Sequence, residues 1–487
     1  MLRRWRTLSL LLLSSLLPSF SLAGPAFENT AIVRTIELGG SLVHVSTTYA
    51  VKALEPGQTV YHVTFGKHEK EKTSWIEAKV KGQVKPLEIT DLGERDVRDV
   101  HVFAVSLPRK LAINGTINLV LETIQTHATY PYPSYAAQAD PQLLKYDTDL
   151  FVLSPYTTLV QRTKIKSSSS DIPSYSTPEG IDEFVGDASV TKSGATITYG
   201  PYHNVASSTN AEFLFKHQQP ISAHYNHGHP VLEVMKLQRS VEISHWGSNL
   251  NIEDRFNLRN AGPLLRGHFS RLDYQSQNYF GRMAGHILSG LTLHLPAGLT
   301  NAYFYDLNGN VSTSHLRQTP SVPRGSKAIQ HSILEMRPRY PLLGGWNYSF
   351  TLGFDTPLQD SVSWDAVNQR HIVGVPVMTH IPGSVVDEAE VKIILPEGAT
   401  DIDVVTPFPA LSSAILTHVS YLDTTGRPAV SLSYKDLTDK HTAMIYVSYK
   451  VPLSAHLKKP VAVGAAFMSL FMIGLVARRV DLRLHKA

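Results

Sequence analysis

Between Pro460 and Ala477 the chain runs 18 residues without a charge, Pro-Val-Ala-Val-Gly-Ala-Ala-Phe-Met-Ser-Leu-Phe-Met-Ile-Gly-Leu-Val-Ala. As a helix rising about 1.5 Å per residue it would be about 27 Å long, close to the hydrocarbon thickness of a membrane. A helix of that length in a soluble core keeps one polar face, and this stretch has none. It is therefore read as a membrane span. Arg478, Arg479, Arg483 and Lys486 follow it, against Lys458 and Lys459 on the other side. The positive-inside bias then sets the last ten residues in the cytosol. The other end agrees. Arg3, Arg4 and Arg6 precede an apolar run from Leu8 to Leu17, Pro18 breaks it, and Ser21-Leu22-Ala23 supplies the small residues of a cleavage site. Residues 1–23 are expected to be a signal peptide removed after Ala23, which makes a type I membrane protein with a tail of residues 478–487.

This topology changes the meaning of the net charge. The chain of 487 residues carries +4, but the leader holds +3 and the tail another +3. Residues 24–477 are left at −2, so a nucleic-acid partner has no electrostatic support. There is no cysteine. Disulfide scaffolds, thiolate metal sites, iron–sulfur clusters and cysteine nucleophiles are excluded together. In an oxidising compartment such domains must be held by core packing alone, which requires size. Asn114-Gly-Thr116, Asn310-Val-Ser312 and Asn347-Tyr-Ser349 are acceptors for N-glycosylation, and Asn114, Asn310 and Asn347 are the expected modified residues.

Much of residues 30–455 alternates with a period of two. Val43, Val45, Thr47, Tyr49 and Val51 take one face of a predicted strand; Ile117, Leu119 and Leu121 do so in another, and Ile445, Val447, Tyr449 and Val451 near the end. Turn signals such as Pro56-Gly57 and Thr425-Gly426-Arg427-Pro428 separate the runs. The fold class is all-β or β-dominated, as sandwich-like units. The same features also recur in order. Arg34-Thr35-Ile36-Glu37 returns as Arg239-Ser240-Val241-Glu242, Val105–Pro108 as Leu293–Pro296, Tyr130-Pro131 as Tyr340-Pro341, and Thr163-Lys164-Ile165 as Val391-Lys392-Ile393. Gly194–Tyr199 returns as Gly426–Ser431, each before a final strand at Ala211–Phe215 or Met444–Tyr449. Conserved order with drifting loop lengths predicts a divergent duplication. The expected units are 24–225 and 226–459, with a polar, proline-bearing linker near 217–233. Lys166–Ser176 reads as a Ser-rich loop and Gly66–Lys72 as a charged turn.

Chemistry is thin. His224, His227 and His229 have a spacing that could hold zinc, but no fourth ligand lies nearby and a linker orients ligands poorly. Asp147-Thr-Asp149 and Asp401-Ile-Asp403 resemble the Asp-x-Asp that chelates a divalent ion for nucleotide-sugar transfer, a pattern too short to distinguish from turn residues. No His-Glu-x-x-His, Gly-x-Ser-x-Gly, phosphate-loop or dinucleotide fingerprint occurs. A stand-alone lumenal glycan hydrolase or transferase using Asp147, Asp149, Asp401 or Asp403 stays open as an alternative, as does a cell-surface adhesion ectodomain. In the predicted span, Ala462 and Ala466, and Ala465 and Ser469, put small residues four apart, a face suited to a membrane partner.

Several runs resemble the ribophorin I family. They include Arg337-Pro-Arg-Tyr-Pro-Leu-Leu-Gly-Gly-Trp346, Asn226-His-Gly-His-Pro230, Ser244-His-Trp-Gly247 and Phe269-Ser-Arg-Leu-Asp-Tyr274. Gly309–His315, Val391–Ala399 and Tyr421–Pro428 belong with them. The resemblance implies a non-catalytic subunit of the endoplasmic-reticulum oligosaccharyltransferase, which moves a dolichol-linked glycan to asparagine of nascent chains. It implies two β-rich lumenal domains, with the chemistry and its metal in a separate multispanning subunit. It implies other subunits and the membrane as partners, nascent polypeptide as a further contact, and no catalytic, cofactor-binding or metal residues in this chain. It explains His227 and His229 without a metal and makes Asn310 a family glycosylation position. Animal members continue into a cytosolic helical domain that meets the ribosome; this chain stops at Ala487, as the shorter fungal form does, so ribosome contact is not carried over.

Overall fold

A computed structural model describes residues 26–95, 100–186, 189–281, 284–321, 330–421, 423 and 425–479. The expected signal peptide and most of the expected cytosolic tail lie outside them. Strands dominate, and they assemble into two units built to one plan.

The first unit's eight-stranded sheet runs from edge to edge as Val190–Ser193, Thr196–Val205, Thr158–Lys166, Phe27–Glu37, Leu42–Ala53, Thr116–Thr126, Thr73–Val80 and Pro86–Leu87. The second unit's runs as Ser412–His418, Arg427–Leu437, Ser384–Ile394, Leu232–Ser244, Asn249–Asn260, Asn347–Pro357, Thr300–Asp306 and Gly309–Asn310. At every position the two strands have the same rank in chain order among the eight of their sheet. Each sheet has one parallel pairing, Phe27–Glu37 with Thr158–Lys166 and Leu232–Ser244 with Ser384–Ile394, among antiparallel ones. The smaller sheets match as well. Gln58–Gly66, Val100–Leu111 and Ile89–Arg95 correspond to Leu291–Pro296, His331–Met336 and His315–Arg317. The four strands Ser174–Tyr175, Pro220–Asn226, Leu143–Asp149 and Thr129–Pro131 correspond to Thr400–Val405, Met444–Lys450, Arg370–Pro376 and Val362–Asp365.

The duplication is therefore a fact of topology, and it sorts the sequence correspondences. Arg34/Arg239, Thr163/Val391 and the Gly194/Gly426 turns fall on equivalent strands. The other three do not. Val105–Pro108 lies in the middle strand of its three-stranded sheet, whereas Leu293–Pro296 lies in an outer one. Tyr130-Pro131 follows the sheet strand Thr116–Thr126, but Tyr340-Pro341 precedes its counterpart Asn347–Pro357. Ala211–His217 is a helix and not a strand: Asn210 caps it by accepting from Phe213 N, and Phe213 and His217, four apart, take the buried side while Phe215 is 95% exposed. The unit's last strand is Pro220–Asn226, inside the supposed linker, whose remainder passes straight into Leu232–Ser244. Lys67–Lys72 is a short helix in place of the charged turn.

Equivalent arginines fasten the large sheet to the four-stranded sheet in each unit. Arg239, fully buried, donates twice to Asp254 (2.7 and 2.6 Å) on the neighbouring strand, to the Pro376 carbonyl (2.6 Å) and to Thr379. Arg34, in the same register, faces Thr47 where Arg239 faces Asp254. It donates to the carbonyl of Asp149, which ends the strand equivalent to the one Pro376 ends. The first unit has two core clusters, one around Ile36, Val45 and Ile165, the other around Phe27, Ile32 and Tyr49, where the second has one. Burial pushes the nearby Glu69 carboxyl up to about 7 against the pull of Arg34.

The C-terminal helix Leu453–Arg479 begins ahead of the charge-free run and contains Pro460. Among the described residues it is the one helix long and apolar enough to cross a membrane, and none of that window is buried against the rest of the chain.

Arg239→Met strands Asp254 as an unpaired buried charge, a loss of about 3–5 kcal/mol. Urea denaturation of the detergent-solubilised protein is expected to show a large fall in midpoint for Arg239→Met and a clearly smaller one for Arg34→Met. Equal falls would contradict the distinction.

Candidate functional site

The two units meet along a seam. Leu42, Ile124 and Val385 form a small apolar cluster there with Trp75 against it, and the Trp75 ring meets His441 edge-on at 4.9 Å. Ser41 and Ser74 donate across the seam to the carbonyls of Leu232 and Asp436. Tyr135-Ala136 pairs in parallel with Leu264-Leu265. Gln142 reaches the carbonyls of His227 (3.1 Å) and His229 (2.6 Å).

Charge concentrates at one point of this seam. His127, in left-handed backbone (φ 51°), follows the strand Thr116–Thr126 and sets its two ring nitrogens against Glu233 (3.1 Å) and Asp387 (2.9 Å) of the second unit. With a carboxylate at each nitrogen both positions carry a proton, and the hydrogen bonds to Asp387 and Glu233 hold the imidazolium up to about 10. Asp436 stands close by, and its carboxyl is raised by burial. Ligand atoms of His127, Asp387 and Asp436 lie within 4.8 Å of one another, so these are the residues that could hold a divalent cation. Beside them is a cavity of about 300 Å³ lined by Ser41, Thr129, Glu233 and Arg259 among others. The ring's double engagement favours an ionic clasp between units over a metal centre. No sequence motif announced it: His127 and Asp387 are 260 residues apart.

The residues singled out from sequence are dispersed. His224 bonds the Tyr132 carbonyl (2.7 Å). His227 is buried, and burial lowers its imidazole to about 4. His229 is exposed, its ring 5.9 Å from that of His227. The three imidazoles do not converge as metal ligands. Asp147 accepts from the Tyr130 hydroxyl (2.6 Å), and Asp401 pairs with Arg370 (2.6 Å) and Lys450 (3.0 Å), which lowers its carboxyl. Asp147 and Asp149 lie in the first unit's four-stranded sheet, Asp401 and Asp403 in the second's. The carboxylates form no shared pair. Asn114 (in a tight turn, φ 60°), Asn310 and Asn347 are all exposed, as are the hydroxyl residues two further on.

A second focus lies at the root of the long helix. Lys459 pairs with Glu397 (3.0 Å) and Asp423 (2.9 Å), and Gly398, at φ +79°, lets the backbone approach Ala455 where a Cβ would come within 2.6 Å. His245 donates to or accepts from the Tyr449 hydroxyl (2.8 Å), with the rings of His371 and His456 at 4.6 and 5.4 Å. Burial, with the His371 and His456 rings beside it, lowers His245 to about 4, and burial lowers His371 as well.

The family model described as Ribophorin I matches residues 27–478. Dolichyl-diphosphooligosaccharide–protein glycosyltransferase subunit 1B of Arabidopsis thaliana is 30% identical, over 82% of this chain and 80% of that protein. The subunit 1B of Oryza sativa subsp. japonica is 32% identical over 74% and 70%. Subunit 1 of Caenorhabditis elegans is 28% identical over 96% and 75%. A solved structure of native yeast LTA4 hydrolase aligns at 10% identity over 41% of this chain and 29% of that one, with a TM-score of 0.26, and carries no argument.

The clasp has a defined pH signature. Because the folded pKa of His127 is raised from 6.5 to about 10, its stabilisation is complete below about 6.5 and lost as the pH rises through 10. Protection of the backbone amides beside the Ser41–Leu232 contact, taken relative to the intrinsic hydroxide-catalysed exchange rate, is expected to fall over that range. His127→Ala should show the lowered protection throughout, with no step as the pH rises; a protection profile unchanged from that of the original chain would remove the clasp.

Proposed function

This chain belongs to the ribophorin I family, and on that footing we propose that it works as a non-catalytic, membrane-anchored subunit of the complex that glycosylates asparagine in nascent polypeptides. The observation that carries the reading is the family match over residues 27–478, joined by relatives of the same subunit name across most of both chains. The structure supplies what a scaffold needs: two rigid β-units, a charged and apolar seam between them, and a helix rooted in the second unit by Lys459. The dispersal of Asp147, Asp149, Asp401 and Asp403 takes away the support for a stand-alone hydrolase or transferase.

In this proposal residues 1–23 are a removed leader, 24–225 and 226–459 are lumenal units, 460–477 crosses the endoplasmic-reticulum membrane, and 478–487 is cytosolic. The multispanning catalytic subunit is the principal partner. Exposed sequons at Asn114, Asn310 and Asn347 accept glycans, since a sugar on any of them meets solvent and not core.

Purification of the tagged protein in mild detergent is expected to bring down glycosyltransferase activity together with the multispanning subunit; an isolated chain free of both would end the proposal. Asn→Gln changes at 114, 310 and 347 are each expected to remove one endoglycosidase-sensitive mobility step. Full-length product that ignores endoglycosidase would refute the lumenal placement.

A further inference from the structure

The outer strand of the second unit's main sheet, Ser412–His418, has no partner on its free side among the described residues. Its sequence, Ser-Ser-Ala-Ile-Leu-Thr-His, has no Asp, Glu, Lys, Arg or proline, and Ser412 to Thr417 are exposed on both faces. Ile415 and Leu416 point to opposite sides and are 58% and 52% exposed, with Leu411, Val419 and Tyr421 exposed around them. The strand is held by its pairing with Arg427–Leu437 and rests on no core of its own.

The duplication provides an internal control. The equivalent edge of the first unit, Val190–Ser193, is four residues long and carries Lys192, whose ammonium donates to the Ile172 carbonyl (3.2 Å). Shortness and a lysine are the usual guards of a sheet edge. The second unit's four-stranded sheet is guarded at its Thr400–Val405 edge by Asp401 and Asp403. One edge has been left bare where its twin and its neighbour are defended.

Main-chain chemistry decides what can cover it. A row of unpaired N–H and C=O groups is satisfied along its length by another extended backbone, which neither a helix nor lipid provides. The apolar side chains on both faces are always present, so the cover must be permanent to keep them from water. Location narrows the source. A few residues beyond the strand, Asp423 holds Lys459 at the root of the membrane helix (2.9 Å), so the edge ends close to where the chain enters the bilayer.

We propose that this edge is completed by a β-strand from the lumenal domain of a companion membrane-anchored subunit, one with apolar side chains on both faces to cover Ile415 and Leu416. The inference rests on the proposed membership of a multisubunit complex and adds the surface through which one neighbour is held.

A photo-crosslinking residue placed at Thr417 of the full chain, irradiated in intact microsomes, is expected to give one adduct of fixed size with a single companion subunit, unchanged after puromycin has released nascent chains. Heterogeneous adducts that vanish with puromycin would reassign the edge to acceptor polypeptide, and adducts with a second copy of this chain or with lipid alone would likewise overturn the proposal. Leu416→Lys is expected to lower recovery of that companion about tenfold while thermal unfolding of the chain itself is unchanged. Recovery at the wild-type ratio overturns the docking edge and leaves complex membership standing. A wild-type chain that purifies without any complex overturns membership and the edge with it.

Discussion

A buried guanidinium reaching across layers is the interaction on which each unit depends. Arg34 and Arg239 sit at the same register of the same strand, beside the one parallel pairing of the large sheet. Each sends a hydrogen bond to the carbonyl that ends the equivalent strand of the four-stranded sheet. It adds a charged, directional tie to the apolar contact between the layers, since dispersion and burial are not directional. The second unit backs its arginine with Asp254 and keeps one continuous core. The first answers with Thr47 on the adjacent strand, leaves the Arg34 Nε without a partner, and has its core parted in two. The two copies share the arginine and differ in what stands opposite it.

The absence of cysteine gives this device more weight. In small lumenal domains disulfides commonly tie one layer to the next; here the tie is ionic and hydrogen-bonded. Its direction is fixed by the fork of the guanidinium, and replacement by lysine would lose the second contact to Asp254. The seam between units follows the same economy: His127 between two carboxylates, a tryptophan against a histidine, and a few side chains bonded to backbone carbonyls.

Local pattern carried the strands, the membrane helix and the Arg34/Arg239 correspondence, because period-two alternation, an uncharged run and a charged residue inside an apolar strand are all visible without tertiary knowledge. It failed at Ala211–His217, where phenylalanines at alternate positions resemble a strand. The Asn210 cap and burial of residues four apart settle it as a helix. It failed at residues 220–226 because a polar, proline-bearing stretch looks like a linker until the partner strand Leu143–Asp149 is known. The correspondences at Val105 and Tyr130 were short dipeptide or alternation matches, which any β-rich chain supplies. The clasp at His127 was beyond reach, since its members share no spacing and owe their meeting to the docking of the units. Reading a metal into His224, His227 and His229 likewise needed geometry to dismiss, as the strand Pro220–Asn226 and the turn after it send the rings to different surroundings.

The root of the long helix sets how force passes between the β-units and the membrane. Lys459 is pinned by Glu397 and Asp423, and Ala455 is pressed onto Gly398, so the first turns cannot spin about their own axis without breaking the clamp. One residue later Pro460 has no N–H to offer the carbonyl of His456, and the helix loses a rung there. The joint is therefore stiff in torsion and soft in tilt. Within the bilayer the helix can lean to follow its neighbours, but the compass bearing of its Ala465–Ser469 face stays locked to the β-units at its root.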